Sequence, residues 1–433
     1  MPKTSEKNPE LKKAIGLTQL TIYGIGIILG AGIYVLIGNA AGLAGNALWL
    51  GFAVAGIVAA FTALSYAELS SMFPVSAAEF VYVKNAFKSK FLGFLVGWIA
   101  LITGFTVIGA IALGFSSYFT ALVSSFVALP LFFGALLVIL AFTLVNFIGI
   151  RESAWLNTIF TIIEAIGLLI VIVFGVQFIG TVDLTQLPVT GFAGIFAAAG
   201  IIFFAFLGFE DMANIAEETK DARKNVPRAL LIALIISTVL YVLVAIVAVN
   251  AVPFEVLASS PAPLADVAEA STGFLGGTTL AIIALFATAN TILVMLIVTA
   301  RMMYGMAKES SLPKILSRVH FKTRTPWVAV LVTMVFSIVF ILFEDITLVV
   351  EFTDFGVLSM FFMVNLSVIV LRLNDKKTKR PFKLPLSVKN VPIISLFGAL
   401  SCLLLLLHFG WHVWLFGLGM IVVGAIVYKL YQK

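Results

Sequence analysis

Gly24-Ile-Gly-Ile-Ile-Leu-Gly30-Ala31-Gly32-Ile33 and Phe203-Phe204-Ala205-Phe206-Leu207-Gly208-Phe209-Glu210-Asp211 are the two stretches that decide how this chain folds. The first puts four glycines within nine residues, in the middle of an apolar run. Glycine costs about 1 kcal/mol relative to alanine in a helix interior. The second sets a glycine, a phenylalanine and two adjacent carboxylates deep in another apolar run. Small residues four apart also let helices pack closely. Taken locally, the glycines fit packing as well as unwinding.

The surroundings decide between them. Of 433 residues, 61% are hydrophobic and only 11% charged, with a mean hydropathy of +1.14. Soluble domains are about 45–50% apolar and about 25% charged, so a water-soluble enzyme is excluded. A disordered chain and a disulfide scaffold are excluded too, the latter because Cys402 stands alone. Roughly 20 apolar residues span a bilayer as a helix. Such runs occur at 15–40, 46–71, 91–119, 130–150, 155–179, 192–216, 227–250, 275–307, 326–343, 346–371, 391–408 and 411–430, twelve in all. They are too long and continuous for barrel strands, and the first is too long for a signal peptide. A very short loop at Glu344 and Asp345 divides the ninth from the tenth.

All 27 Lys and Arg fall in alternate loops. The loops between carry Asp183, Glu255, Asp266, Glu269, Glu344 and Asp345 and no base. The excess of basic residues on one side places both termini in the cytoplasm of a cell membrane. The net charge of +6 therefore reports topology and contact with anionic lipid, not nucleic acid. Arg372–Arg380 reads as a solvated cytoplasmic loop with an anchoring role. Nothing in the sequence speaks to oligomeric state.

The two unusual stretches lie in the first and sixth spans, five helices apart, as an inverted five-plus-five repeat requires. This favours unwinding: 1–14 is then a cytoplasmic tail, 15–179 the first repeat, 192–371 the second, and 391–430 two extra helices. Unwound backbone in a membrane needs a ligand or a wet cavity. Free N–H groups and a positive dipole end near Gly30-Ala31-Gly32 would face an anion. Free carbonyls near Phe203–Phe206 would face a cation. A carboxylate site beside an ammonium site describes the backbone of an amino acid.

At these residues the sequence resembles the amino acid–polyamine–organocation permeases. The resemblance covers Gly24–Tyr34, Tyr66-Ala-Glu68-Leu69 with Phe73-Pro74 and Phe80-Val-Tyr82, and Asn146-Phe-Ile-Gly149. It continues through Gly208-Phe209-Glu210, Glu217-Glu218-Thr-Lys220, Asn225-Val-Pro227-Arg228, Ala300-Arg301 with Tyr304, and Arg380-Pro381-Phe382-Lys383-Leu384-Pro385. It implies an all-helical membrane protein of the leucine-transporter fold, with helices 1 and 6 broken, carrying amino acids or amines by proton coupling or exchange. Carried over, Gly30, Ala31 and Gly32 would hold the substrate carboxylate. The carbonyls of Phe203, Phe204 and Ala205 would hold the amino group, with Phe204 as lid. Ile27, Ile108, Phe206, Asn290 and Thr291 would shape side-chain selectivity. Segment 76–88 resembles the family's cytoplasmic amphipathic helix, with Ala77-Ala78-Glu79 where a glycine pair is usual.

Five acids stand inside spans: Glu164, Glu210, Asp211, Glu351 and Asp354. Ionisable groups there are costly and usually face a functional cavity. Glu164 is alone in Phe160-Thr-Ile-Ile-Glu164, roughly 14 Å deep at 1.5 Å rise per residue. The resemblance aligns it with a position where many permeases carry a lysine. A carboxyl that alternates between wet and occluded states can carry a proton, so Glu164 is the expected coupling group, a structural hydrogen bond being the alternative. Glu210 reads as a gate or a helix cap, Asp211 as a cap or pathway group, Asp354 as a pathway group, and Glu351 as a wet surface acid. His320, His408 and His412 have no ligand spacing, so no metal is expected. Nor is any cofactor; the coupling ion is a proton ahead of sodium. No phosphate-binding loop supports direct ATP drive. The expectation is a secondary transporter importing an amino acid or amine by proton symport. An exchanger on the same fold is the closest rival; a channel or membrane-embedded enzyme is more distant.

Overall fold

The computed structural model describes residues 10–123, 130–260, 262–342, 346–375, 377–407 and 409–431. His408, Glu344 and Asp345 lie outside them. The apolar runs form α1 (Leu17–Leu29), α2 (Ala31–Ala44), α3 (Leu48–Met72), α4 (Ala78–Phe87), α5 (Lys90–Val123), α6 (Leu131–Ile148) and α7 (Ile150–Gly175). They continue as α8 (Phe192–Phe203), α9 (Asp211–Asn214), α10 (Ala222–Ala251), α11 (Phe254–Ser259), α12 (Pro263–Thr272) and α13 (Phe274–Lys308). The last are α14 (Trp327–Ile341), α15 (Ile346–Asn374), α16 (Ile393–Leu406) and α17 (Trp411–Tyr431). Among the described residues, ten spans are long and apolar enough to cross a membrane, and α14 and α16 are shorter apolar helices. A short hairpin, β1 (Ser387–Val388) with β2 (Val391–Pro392), precedes α16.

The first span is interrupted at one residue. Gly30 (φ −38°, ψ −157°) ends α1 and precedes α2. The other three glycines are sites of close approach. A methyl at Gly24 would meet Met212, at Gly26 Thr161, and at Gly32 the backbone of Ala205. Packing and unwinding therefore share one motif. The sixth span is interrupted over a longer stretch. After α8 come a 3-10 turn at Phe204–Phe206, an extended Leu207 and Gly208 at φ +110°, a conformation that favours glycine. The chain then forms only the single turn α9 and a 3-10 turn at Ala216–Glu218, not a long half-helix.

Two buried ion-pair clusters staple the basic end of the bundle. Arg301, 0% exposed, donates from Nε to Glu218 (3.0 Å) and from Nη1 to Asn146 Oδ1 (2.7 Å). It thereby ties α13 to the end of the sixth span and to α6. Glu68 on α3 accepts from Arg372 of α15 and from the Leu384 N–H (2.8 Å), and its Oε1 lies 3.3 Å from Arg380 Nε as an ion pair. The Arg372–Arg380 segment is thus anchored by a buried acid at its two arginines, with Arg372 only 6% exposed, while Leu373, Asn374, Lys377 and Lys379 between them are exposed. Nor is the start of the chain a free tail throughout. Leu11 is buried, and the Ala14 N–H donates to Glu218 O (2.9 Å).

Candidate functional site

The two interruptions face the same cavity, of about 110 Å³. One water needs roughly 10–15 Å³ on such a measure, so this space takes a small organic molecule. Helix α1 contributes Ile27 and Ile28 to its wall, the break contributes Gly30 and Gly32, and the second interruption contributes Phe204, Ala205, Gly208 and Glu210. Helix α5 lines it from Ala100 to Ile111, about 16 Å of helix at 1.5 Å per residue. Met295 and Val298 of α13 and Val357 and Met360 of α15 complete an apolar surround. Glu79, Glu210, Asp211 and Asn214 gather at one end. No lysine or arginine lines it among the described residues.

Helix α2 starts at Ala31, so its first-turn N–H groups have no intrahelical acceptor and present a positive dipole end. Helix α8 ends at Phe203, which leaves its last carbonyls free of helical partners. Some are already engaged. Ala205 O accepts from the Tyr241 hydroxyl (3.1 Å), which also reaches Ile28 O, and Phe204 O accepts from the Leu207 N–H (3.1 Å). Each carbonyl keeps a second lone pair. Tyr241, on α10, thus bridges the two breaks, a role that its place within an apolar run gave no reason to expect.

Of the residues singled out in the sequence, Ile27, Gly30, Gly32, Phe204, Ala205, Glu210, Asp211 and Thr291 line the cavity, and Ala31 heads α2. The others lie elsewhere. Phe203 is buried against Phe361 (6.3 Å between ring centroids), and Phe206 against Tyr241 (5.2 Å). Ile108 is buried in a cluster with Val138, Ile139 and Leu296, because its face of α5 turns away from the cavity. Asn290 points toward α7: its Oδ1 accepts from Asn157 (2.8 Å), and its Nδ2 approaches Gly26 O and Thr161 (both 3.4 Å).

That polar network is a second feature of the site. Asn157, Thr161 and Glu164 lie at helical spacing on the buried face of α7, toward α1 and α13. Glu164 is 0% exposed, and the Asn290 side-chain amide is the hydrogen-bonding group beside its carboxyl. Its backbone carbonyl is approached by the Tyr34 hydroxyl of α2 at 3.5 Å. The group is off the cavity wall, yet it touches the second half of the broken helix.

Glu210 occupies the N-cap position of α9 without a capping bond; its Oε2 instead accepts from the Gly208 N–H (2.8 Å), closing the turn of the break. Asp211 opens α9 at the cavity. Asp354 has a buried Oδ1 without a partner and does not line the cavity. Glu351 faces His412 Nε2 at 2.9 Å and is partly exposed, and His320 sits in a loop against Thr323. Glu79 and Asn214 are the residues that sequence reasoning missed. The departure from a glycine pair at 77–79 was the available signal.

The profile described as amino acid permease matches residues 15–428. The chain is 32% identical to the branched-chain amino acid permease BcaP of Bacillus subtilis, over 98% of this chain and 94% of that protein. It is 28% identical to the methylthioribose transporter of the same organism, over 99% and 95%. It is 30% identical to cationic amino acid transporter 9 of Arabidopsis thaliana, over 87% of this chain and 69% of that protein. An apolar bundle whose helix breaks share one cavity, matched over nearly its whole length, belongs to the amino acid permease family: it is an integral membrane amino acid transporter and not an enzyme.

Proposed function

We propose that this permease imports a neutral amino acid with an aliphatic side chain, by proton symport and alternating access. The observation that carries the reading is the cavity at which both breaks meet. Gly30, Gly32, Phe204 and Ala205 of the two breaks line it together with the apolar Ile27, Val107, Ile111, Met295 and Val357. The N-terminus of α2 suits a carboxylate, and the carbonyls of Phe204 and Ala205, which line the cavity, suit an ammonium group, with Phe204 as lid. An aliphatic side chain gains from apolar walls and loses no hydrogen bond there. The similarity to a branched-chain permease supports the same choice.

In this reading the twelve helices form a five-plus-five inverted repeat with two further helices, and the basic end of the bundle faces the cytoplasm. Glu164 carries the proton: it is buried, no lysine or arginine pairs with it among the described residues, and its helix packs on α1. The test is uptake of radiolabelled leucine, isoleucine and valine into proteoliposomes under an inward proton gradient. Accumulation that a protonophore collapses, and that Glu164→Gln loses while keeping substrate counterflow, is the expected result. No uptake across a broad amino acid and amine panel rejects the transport reading, and a strict need for internal substrate makes the protein an exchanger.

The carboxyls of Glu79, Glu210 and Asp211, with no base beside them, favour a second reading in which the substrate is a cationic amino acid or amine. Lysine or arginine outcompeting leucine would establish it.

A further inference from the structure

Beneath the substrate cavity, three separate pieces of chain converge on one carboxyl group. Glu79 stands on α4, is 2% exposed, and forms part of the cavity wall. Its Oε1 accepts from the Tyr66 hydroxyl of α3 (3.0 Å). The Asn214 side-chain amide of α9 donates to Oε1 (3.3 Å) and Oε2 (3.1 Å). Asn214 is in turn held by the Ala78 N–H, which donates to its Oδ1 (2.9 Å). Every partner of the Glu79 carboxyl donates, as a carboxylate requires.

The pinned elements differ in freedom. Helices α3 and α4 are continuous with the bundle, whereas α9 is a single turn that comes after Gly208 and the long interruption. Such a segment is attached on one side by backbone that can rotate, which is where hinge motion is absorbed. The bonds to Asn214 fix the α9 turn itself, whereas the next turn, Ala216–Glu218, is held separately by Arg301 on Glu218 (3.0 Å) and by the Ser76 N–H on Glu217 Oε1 (3.2 Å). The titratable groups facing Glu79 are Tyr66, Tyr82, Glu210 and Asp211, with no lysine or arginine among them. No basic partner therefore competes for this carboxyl.

We propose that Glu79 is the latch of the cytoplasmic gate: its carboxyl ties the segment after the helix break to α3 and α4, and so holds the substrate cavity shut on that side. Glu79 acts as a positioning residue, through Asn214 and Tyr66. The proposal rests on the reading of the cavity as the substrate path.

The test measures access from each side and needs no identified substrate. Cys402, the single cysteine of the sequence and buried, is replaced by serine. Reporters Ala100→Cys and Ile111→Cys are placed at the two ends of the α5 wall. Full-length protein is labelled with a membrane-impermeant maleimide in inside-out and right-side-out vesicles. Glu79→Ala is expected to speed labelling of the Ala100→Cys reporter from the cytoplasmic side by roughly five- to tenfold, the shift that losing one or two hydrogen bonds produces. Labelling of the Ile111→Cys reporter from outside is expected to fall in the same variant. Tyr66→Phe should give a smaller effect that adds nothing to Glu79→Ala, and Glu79→Gln, which keeps an acceptor for Tyr66, should restore part of the closure. Rates that rise together on both sides mean general loosening and overturn the latch. Unchanged rates, with both reporters labelled in the otherwise native protein, overturn the latch and leave the path standing. Reporters closed to reagent from both sides in every variant overturn path and latch together.

Discussion

Gly32 and Ala205 meet backbone to backbone: a methyl added at Gly32 would lie 2.8 Å from Ala205 Cα and 3.0 Å from its Cβ. The two breaks are therefore pressed against each other, and the room that glycine leaves is what lets their polar ends share one cavity. Backbone cannot yield as the end of a flexible side chain can.

Gly32→Ala is accordingly expected to destabilise the protein by about 1–3 kcal/mol through overpacking, and to abolish uptake even where folded protein is recovered. The check is thermal unfolding of purified protein beside proteoliposome flux. Uptake at the level of the unaltered protein would show that the breaks move apart freely.

Arg301 and Glu218 are both 0% exposed, paired at 3.0 Å, and 83 residues apart in sequence. Removing one member strands the other as a buried charge, at about 3–5 kcal/mol. Arg301→Met or Glu218→Leu alone should therefore lower the unfolding midpoint strongly, while the double variant recovers much of the loss. Additive losses would mean that the two do not act as a pair.

Ala77 holds the left-handed conformation (φ 58°, ψ 52°) at the start of α4, where a glycine pair would have been the easier choice. The conformation costs an L-residue roughly 1–2 kcal/mol. Ala77→Gly is expected to raise the midpoint of thermal unfolding, with transport retained.

Burial holds the Glu79 carboxyl above the usual glutamate value of 4.5, although hydrogen bonds from Asn214 and Tyr66 pull it down. The folded protein therefore binds this proton more tightly than the unfolded chain. Its contribution to stability is fully present below pH 4.5, is lost as pH rises from there through the raised folded value, and then levels off. Unfolding midpoints taken from about pH 4 to pH 8 should fall more steeply in the unaltered protein than in Glu79→Gln. Parallel curves would place the pH dependence in other groups.

Membrane residence, the positions of the spans and the two interruptions were legible in the chain itself, because run length, glycine spacing and charge in loops are local properties. Gly30 and Phe204–Gly208 break where the composition breaks. Which residues face the cavity is a different kind of fact. Ile108, Phe206 and Asn290 lie on runs apolar almost all round, and lipid is as apolar as the bundle interior, so no periodicity announces which way each turns. Glu79 and Asn214 are 135 residues apart, and Glu68 and Arg372 are 304 apart. Only packing, which sets the rotation of every helix about its axis, could draw such pairs together and turn loop charges into buried staples.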